Sequence, residues 1–150
     1  MGPPSFMFKK ILIIIYLLVC SCSNCDSNPV ESSIPDTGNH LTNSLWFIPN
    51  SDGTWGIGYN SNVQIGGFQI TINGPIIISI MNGAAQENGF SVTRNETSGL
   101  ILGFSLSGAT IPVGSGILLS LELDGAPTSI SDILISDESA NSVEFTFEAS

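Results

Sequence analysis

The chain has 150 residues, with 3 Lys+Arg against 13 Asp+Glu and a formal net charge of −10. Every acid lies at Asp26 or later, where Arg94 is the sole cation, so the exported-looking part of the chain cannot neutralise a phosphate backbone and nucleic-acid binding is excluded. Hydrophobic residues make up 42% and the acids are scattered, which separates this acidity from that of a disordered tail.

In chain order, the first feature is an address. Lys9 and Lys10 precede the apolar run 11–19, the layout of a secretory signal. That run is too short to span a bilayer, which takes about 20 apolar residues. Met7 offers a second start that gives a tighter signal. The three cysteines, Cys20, Cys22 and Cys25, all fall at its end, so no disulfide framework can exist beyond it. Val19-Cys20-Ser21-Cys22 resembles a bacterial lipobox, with Cys22 as the lipidated first residue of the mature chain. An ordinary cleaved signal with incidental cysteines is the alternative. Residues 1–22 are therefore read as signal peptide, and the protein is expected to be exported to the cell envelope or beyond, held at a membrane by the lipid anchor.

Residues 23–43 are rich in Ser, Asn, Asp, Pro and Thr, lack hydrophobic periodicity, and read as a flexible polar linker. His40, the only histidine, lies here and is expected to be solvated.

Residues 44–150 read as one all-β domain. Nine strands are expected, at 45–48, 54–60, 67–73, 75–81, 89–94, 99–107, 115–123, 130–135 and 143–148. Alternation carries the reading: Phe68, Ile70 and Ile72 against Gln69, Thr71 and Asn73; Leu100, Leu102, Phe104 and Leu106 against Ile101, Gly103, Ser105 and Ser107; Ile117, Leu119, Leu121 and Leu123 against Leu118, Ser120 and Glu122. A period of two marks strands with one buried and one wet face. Asp52-Gly53, Asn73-Gly74-Pro75, Asn82-Gly83 and Asp124-Gly125 supply turns. Residues 84–88 alone look helical, for about one turn. The close spacing favours a β-sandwich of jelly-roll or immunoglobulin-like type over parallel βαβ units.

Gly67-Phe68-Gln69-Ile70, the stretch 83–90 (GAAQENGF), the stretch 102–112 (LGFSLSGATIP) and Gly114-Ser115-Gly116-Ile117-Leu118 resemble cohesin-like modules. The resemblance covers about residues 45–148. It implies a nine-stranded jelly-roll sandwich, related to carbohydrate-binding modules of the same superfamily, that is non-catalytic and docks a dockerin-type protein through one sheet face, with calcium held by the dockerin. A polysaccharide partner is the alternative it carries, a structural or adhesion role another.

Individual side chains offer little chemistry. Asp132, Asp137, Glu138 and Asn141 cluster as a calcium loop would, without EF-hand spacing, and read as turn acids; no cofactor is expected. Asn95-Glu96-Thr97 is an N-glycosylation sequon, meaningful only in a host that uses it. Trp46, Trp55 and Tyr59 could form a platform for a sugar ring, but their alternation with glycine suits core positions better. Ser115 lacks the spacing of a nucleophile elbow and the domain 44–150 has no histidine to serve as base. Glu87, Glu122 and Asp124 could pair for hydrolysis, yet nothing in the sequence brings two together. An enzyme is not expected.

Overall fold

The computed structural model describes residues 39–149. The signal peptide, Cys22 and most of the linker lie outside the described residues.

The strands are β1 (Ser44–Pro49), β2 (Trp55–Ser61), β3 (Ile65–Asn73), β4 (Ile77–Met81), β5 (Ser91–Arg94), β6 (Leu100–Phe104), β7 (Gly114–Leu123), β8 (Ser129–Asp137), β9 (Ser142–Val143) and β10 (Thr146–Phe147); one helical turn, α1 (Ala84–Glu87), follows β4. They form two five-stranded sheets, β10-β1-β2-β7-β4 (sheet A) and β5-β6-β3-β8-β9 (sheet B). All pairings are antiparallel except β1 with β10. The all-β sandwich expected from the sequence is what the chain forms.

Two sheets that each bury one face bring their alternate side chains together as a core. Leu45, Phe47, Ile57 and Tyr59 contribute from sheet A, and Phe68, Ile70, Ile72, Ile101 and Ile135 from sheet B. The β7 strand serves both registers. A bulge opposite Ile57 and Gly58 adds Leu118 to the inward set, so Leu118, Leu119 and Leu121 are all fully buried.

The last expected strand, 143–148, is interrupted. Val143 pairs with Ile135 in sheet B, while Thr146 and Phe147 pair with Ser44 and Leu45 in sheet A. Phe145, between them, is buried in the core. The chain thus crosses from one sheet to the other over Glu144–Phe145, and what reads as one alternating run becomes two short strands.

The opposite side of the sandwich, where β4 and β5 form free edges, is bridged by Arg94, the sole Lys or Arg among the described residues. Arg94 Nε donates to the Ile77 carbonyl at 3.1 Å and Nη2 to Glu96 Oε1 at 2.8 Å. One guanidinium on sheet B therefore occupies a carbonyl on the edge strand of sheet A, which removes an acceptor from an otherwise unpaired edge.

Candidate functional site: two unlike outer faces

The outer face of sheet B departs from the sequence expectation. Leu100, Leu102 and Phe104 were expected inward, with Gly103 on the wet side. Instead Ile101 is fully buried and Leu102 is 39% exposed. Register explains the inversion. Phe68 of β3 pairs directly with Gly103 of β6, and a Cβ on Gly103 would lie 2.2 Å from Phe68 Cζ. The phenyl ring occupies the volume that a side chain at 103 would need, so the glycine faces inward and the leucines face out.

Across this face Thr93, Leu102, Gln69 and Leu134 stand in one row, paired strand to strand from β5 through β6 and β3 to β8. Leu134 is 56% exposed, and Leu106, just past β6, is 87% exposed. Around the leucines lie hydroxyls and amides: Ser91 and Thr93, Gln69 and Thr71, and Asn73, whose Nδ2 donates to Ser129 Oγ and Ser131 Oγ at 3.0 Å each. Apart from Asp132 at a bulge of β8, these outward positions carry no charged side chain. In a chain this acidic, a neutral face with exposed leucines has the composition of an interface centre, where charge is depleted.

The outer face of sheet A is covered over β1 and β2. Trp46 and Ile48 alternate with the core residues Leu45 and Phe47, so they project outward, yet each is only 5% exposed. Trp46 lies over Gly58, where a Cβ would come within 2.2 Å of its Cε2. On the indole rests the imidazole of His40, with ring centroids 3.4 Å apart and planes within 5°. Glu148, just after β10, grips the same stretch. Its Oε2 accepts from His40 Nδ1 and its Oε1 from the Leu41 amide, both at 2.6 Å. The His40 hydrogen bond, followed by that from the Leu41 amide, holds the Glu148 carboxyl below its ordinary value. From β2, Asn60 Nδ2 donates to the carbonyls of His40 (3.3 Å) and Leu41 (3.1 Å). His40 is therefore a seated residue and not the solvated one that linker composition suggests.

Trp46, Trp55 and Tyr59 share no common face, and the core placement expected of them holds for Trp55 and Tyr59. Trp55 and Tyr59 point inward from β2, Trp55 in an edge contact with Phe47 at 6.3 Å, while Trp46 points the other way and is covered. Burial, then the charge of Glu87, pushes the Tyr59 phenol up.

The acids are used locally. Asp137 caps its own turn, accepting from the amides of Ser139 and Asn141 at 2.9 Å each and from Asn141 Nδ2 at 3.0 Å. Those bonds, Asn141 first, hold its carboxyl low. Asp132 sits in the bulge with a positive φ of 48°, and Glu138 is exposed. No group of three or more His, Cys, Asp or Glu poised to hold a metal occurs among the described residues. Glu122 accepts from Ser79 Oγ, and Asp124 from the Ile76 amide. Neither forms a carboxylate pair with Glu87 on α1. Ser115 is exposed on β7. Asn95, at the β5–β6 turn, spends its Oδ1 on the amides of Thr97 and Ser98.

No protein-family model matches the chain, and no curated protein does. Solved structures do. A non-cellulosomal cohesin from the hyperthermophilic archaeon Archaeoglobus fulgidus matches at 17% identity and a TM-score of 0.46, over 72% of this chain and 80% of that one. A type I cohesin–dockerin complex from Clostridium thermocellum matches at 10% identity and a TM-score of 0.48, over 76% of this chain and 93% of that one. At identities and TM-scores this low, what this chain binds has to be argued from its own surface.

Proposed function

We propose that the chain is a non-catalytic, exported binding module that docks a protein partner through the outer face of sheet B. The observation that carries this reading is the row Thr93–Leu102–Gln69–Leu134, an apolar and hydroxylated strip without charge in a chain of net charge −10. A rigid sheet offers side chains at fixed spacing without a cleft, and such preorganised faces lose little entropy on binding. Exposed leucines flanked by amides and hydroxyls supply an apolar centre with a polar surround. A dockerin-type protein is the partner class implied by the resemblance of the glycine-punctuated motifs, and the named complex from Clostridium thermocellum pairs a cohesin with a dockerin.

Lipidation of Cys22 belongs to the same proposal, since the lipobox-like Val19-Cys20-Ser21-Cys22 would hold the module at a membrane. Palmitate-analogue labelling that persists in Cys22→Ala would remove that part and leave the docking reading standing.

The docking test is a pull-down of calcium-loaded dockerin-bearing proteins on the full chain, repeated with Leu102→Asp and Leu134→Asp. Each variant places a charge on an exposed position and is expected to leave the melting curve unchanged while lowering partner affinity at least tenfold. Retention of full affinity in both variants, or no capture by the wild-type chain, overturns the reading.

A further inference from the structure

We propose that the outer face of sheet A holds a second, masked site: a stacking platform for a neutral pyranose ring, closed by His40 and Leu41 of the same chain. It lies on the opposite side of the sandwich from the docking face and stands independently of it.

The platform is Trp46. An indole flat against a sheet needs a floor with no side chain, and Gly58 provides it. The exposed face of such a ring takes a flat, apolar partner at van der Waals distance. His40 does this now, parallel to the indole at 3.4 Å. Its imidazole stands in for the ring that the platform would otherwise receive.

The surroundings supply the polar half of sugar recognition. Glu148 offers two carboxylate oxygens as acceptors, both presently engaged by His40 and Leu41. Asn60 offers amide donors, presently spent on the carbonyls of the same two residues. Trp46 Nε1–H, on a side chain only 5% exposed, is buried with no hydrogen-bond partner among the described residues. A buried donor left unpaired is unfavourable, so the closed arrangement carries a cost at this indole.

The strap itself is weakly anchored on its apolar side. Leu41 is 63% exposed and buries little apolar surface; the His40 ring stack and the hydrogen bonds to Glu148, Asn60 and Ser44 are among the contacts that hold 40–41 down. Segments with few buried apolar contacts open at low free-energy cost relative to the core. When it lifts, an aromatic plane, a carboxylate and an amide are uncovered together, the mix of one apolar body and few polar groups by which small sites orient a ligand. A pyranose with equatorial hydroxyls presents C–H bonds on both faces and fits the indole. The net charge of −10 argues against an anionic sugar.

The masking predicts a masked affinity, because a site that is mostly closed binds with its intrinsic constant divided by the open fraction. Cellohexaose is the probe, titrated into the full chain and followed by calorimetry and tryptophan emission. His40→Ala is expected to bind at least tenfold more tightly than wild type. The emission change is expected to persist in His40→Ala/Trp55→Phe, where Trp46 is the remaining indole. A β-1,4-linked glucuronate oligosaccharide, with the same linkage and equatorial ring substituents but anionic, is expected not to bind. The proposal is overturned if His40→Ala binds no better than wild type, if the signal disappears with Trp55, or if the anionic oligosaccharide binds equally well. The readout needs no truncation of Trp46, so loss of folding cannot imitate a negative result.

Discussion

Gly58 and Gly103 use one steric device in opposite directions. On sheet A, Gly58 makes room on the outer surface, and Trp46 lies over it beneath His40. On sheet B, Gly103 makes room on the inner surface, and Phe68 fills it from the core side. In the first case an aromatic ring is stored outside and covered by His40, which precedes β1; in the second the ring goes inside and the leucines of β6 are pushed out. The two faces of one sandwich thus differ because of where a missing Cβ points. Around Gly58 sheet A ends up covered and aromatic; around Gly103 sheet B ends up open and aliphatic.

Methyl groups at the two glycines sharpen that contrast. Gly103→Ala drives a carbon into a ring locked among core residues, and a loss of about 3 kcal/mol is expected in urea unfolding. Gly58→Ala meets a ring that can lift toward solvent with its His40 cover, so a smaller loss, about 1–2 kcal/mol, is expected together with greater exposure of Trp46 to an added quencher. Equal losses at the two positions would break the comparison.

Arg94→Ala tests whether the two sheets are also held at their free edges. The guanidinium is partly exposed, and removing its hydrogen bond to the Ile77 carbonyl is expected to cost about 1 kcal/mol. The same change uncovers an acceptor on β4 beside Ile76 and Ile78, which are 54% and 46% exposed, so concentration-dependent association should appear in sedimentation.

The smallest effect concerns acid. Glu148 has its carboxyl held below the ordinary value by His40 and the Leu41 amide. A depressed carboxyl contributes stability above its unfolded value, about 4.3, and loses that contribution as pH falls through the lower folded value. The protection factor of the Leu41 amide, with the intrinsic pH dependence of exchange divided out, should therefore hold steady above the unfolded value of about 4.3 and fade as pH falls below it, while the Ile70 and Ile101 amides of sheet B stay protected. The Asp137 carboxyl, also held low by hydrogen bonds at its own turn, gives an internal reference.

Much of the sandwich could be read from the sequence. Period-two runs placed the strands, and Asp-Gly and Asn-Gly pairs placed turns, because both signals are local. Which face of a strand is buried is a different matter when both candidate faces hold apolar or small residues. At 100–107 the alternation gave the strand but not its orientation, since the deciding fact, Phe68 lying across Gly103, comes from a partner some 35 residues away. The terminal run 143–148 hid a change of sheet for the same reason: Phe145 satisfies the pattern either way. His40 was the least legible. Linker composition surrounds it, and the groups that seat it, Trp46 and Glu148, are fixed by the fold and not by neighbouring sequence.

The parallel pairing of β1 with β10 has one more consequence. Ser44 lies beside Thr146 and Leu45 beside Phe147, and Glu148 reaches back to residues 40 and 41. Entry and exit of the sandwich are therefore neighbours. A short bridge between them would close the domain into a ring that could be reopened elsewhere, such as at Asp124–Gly125, and the whole module could be spliced into a surface loop of another protein without forcing that loop apart.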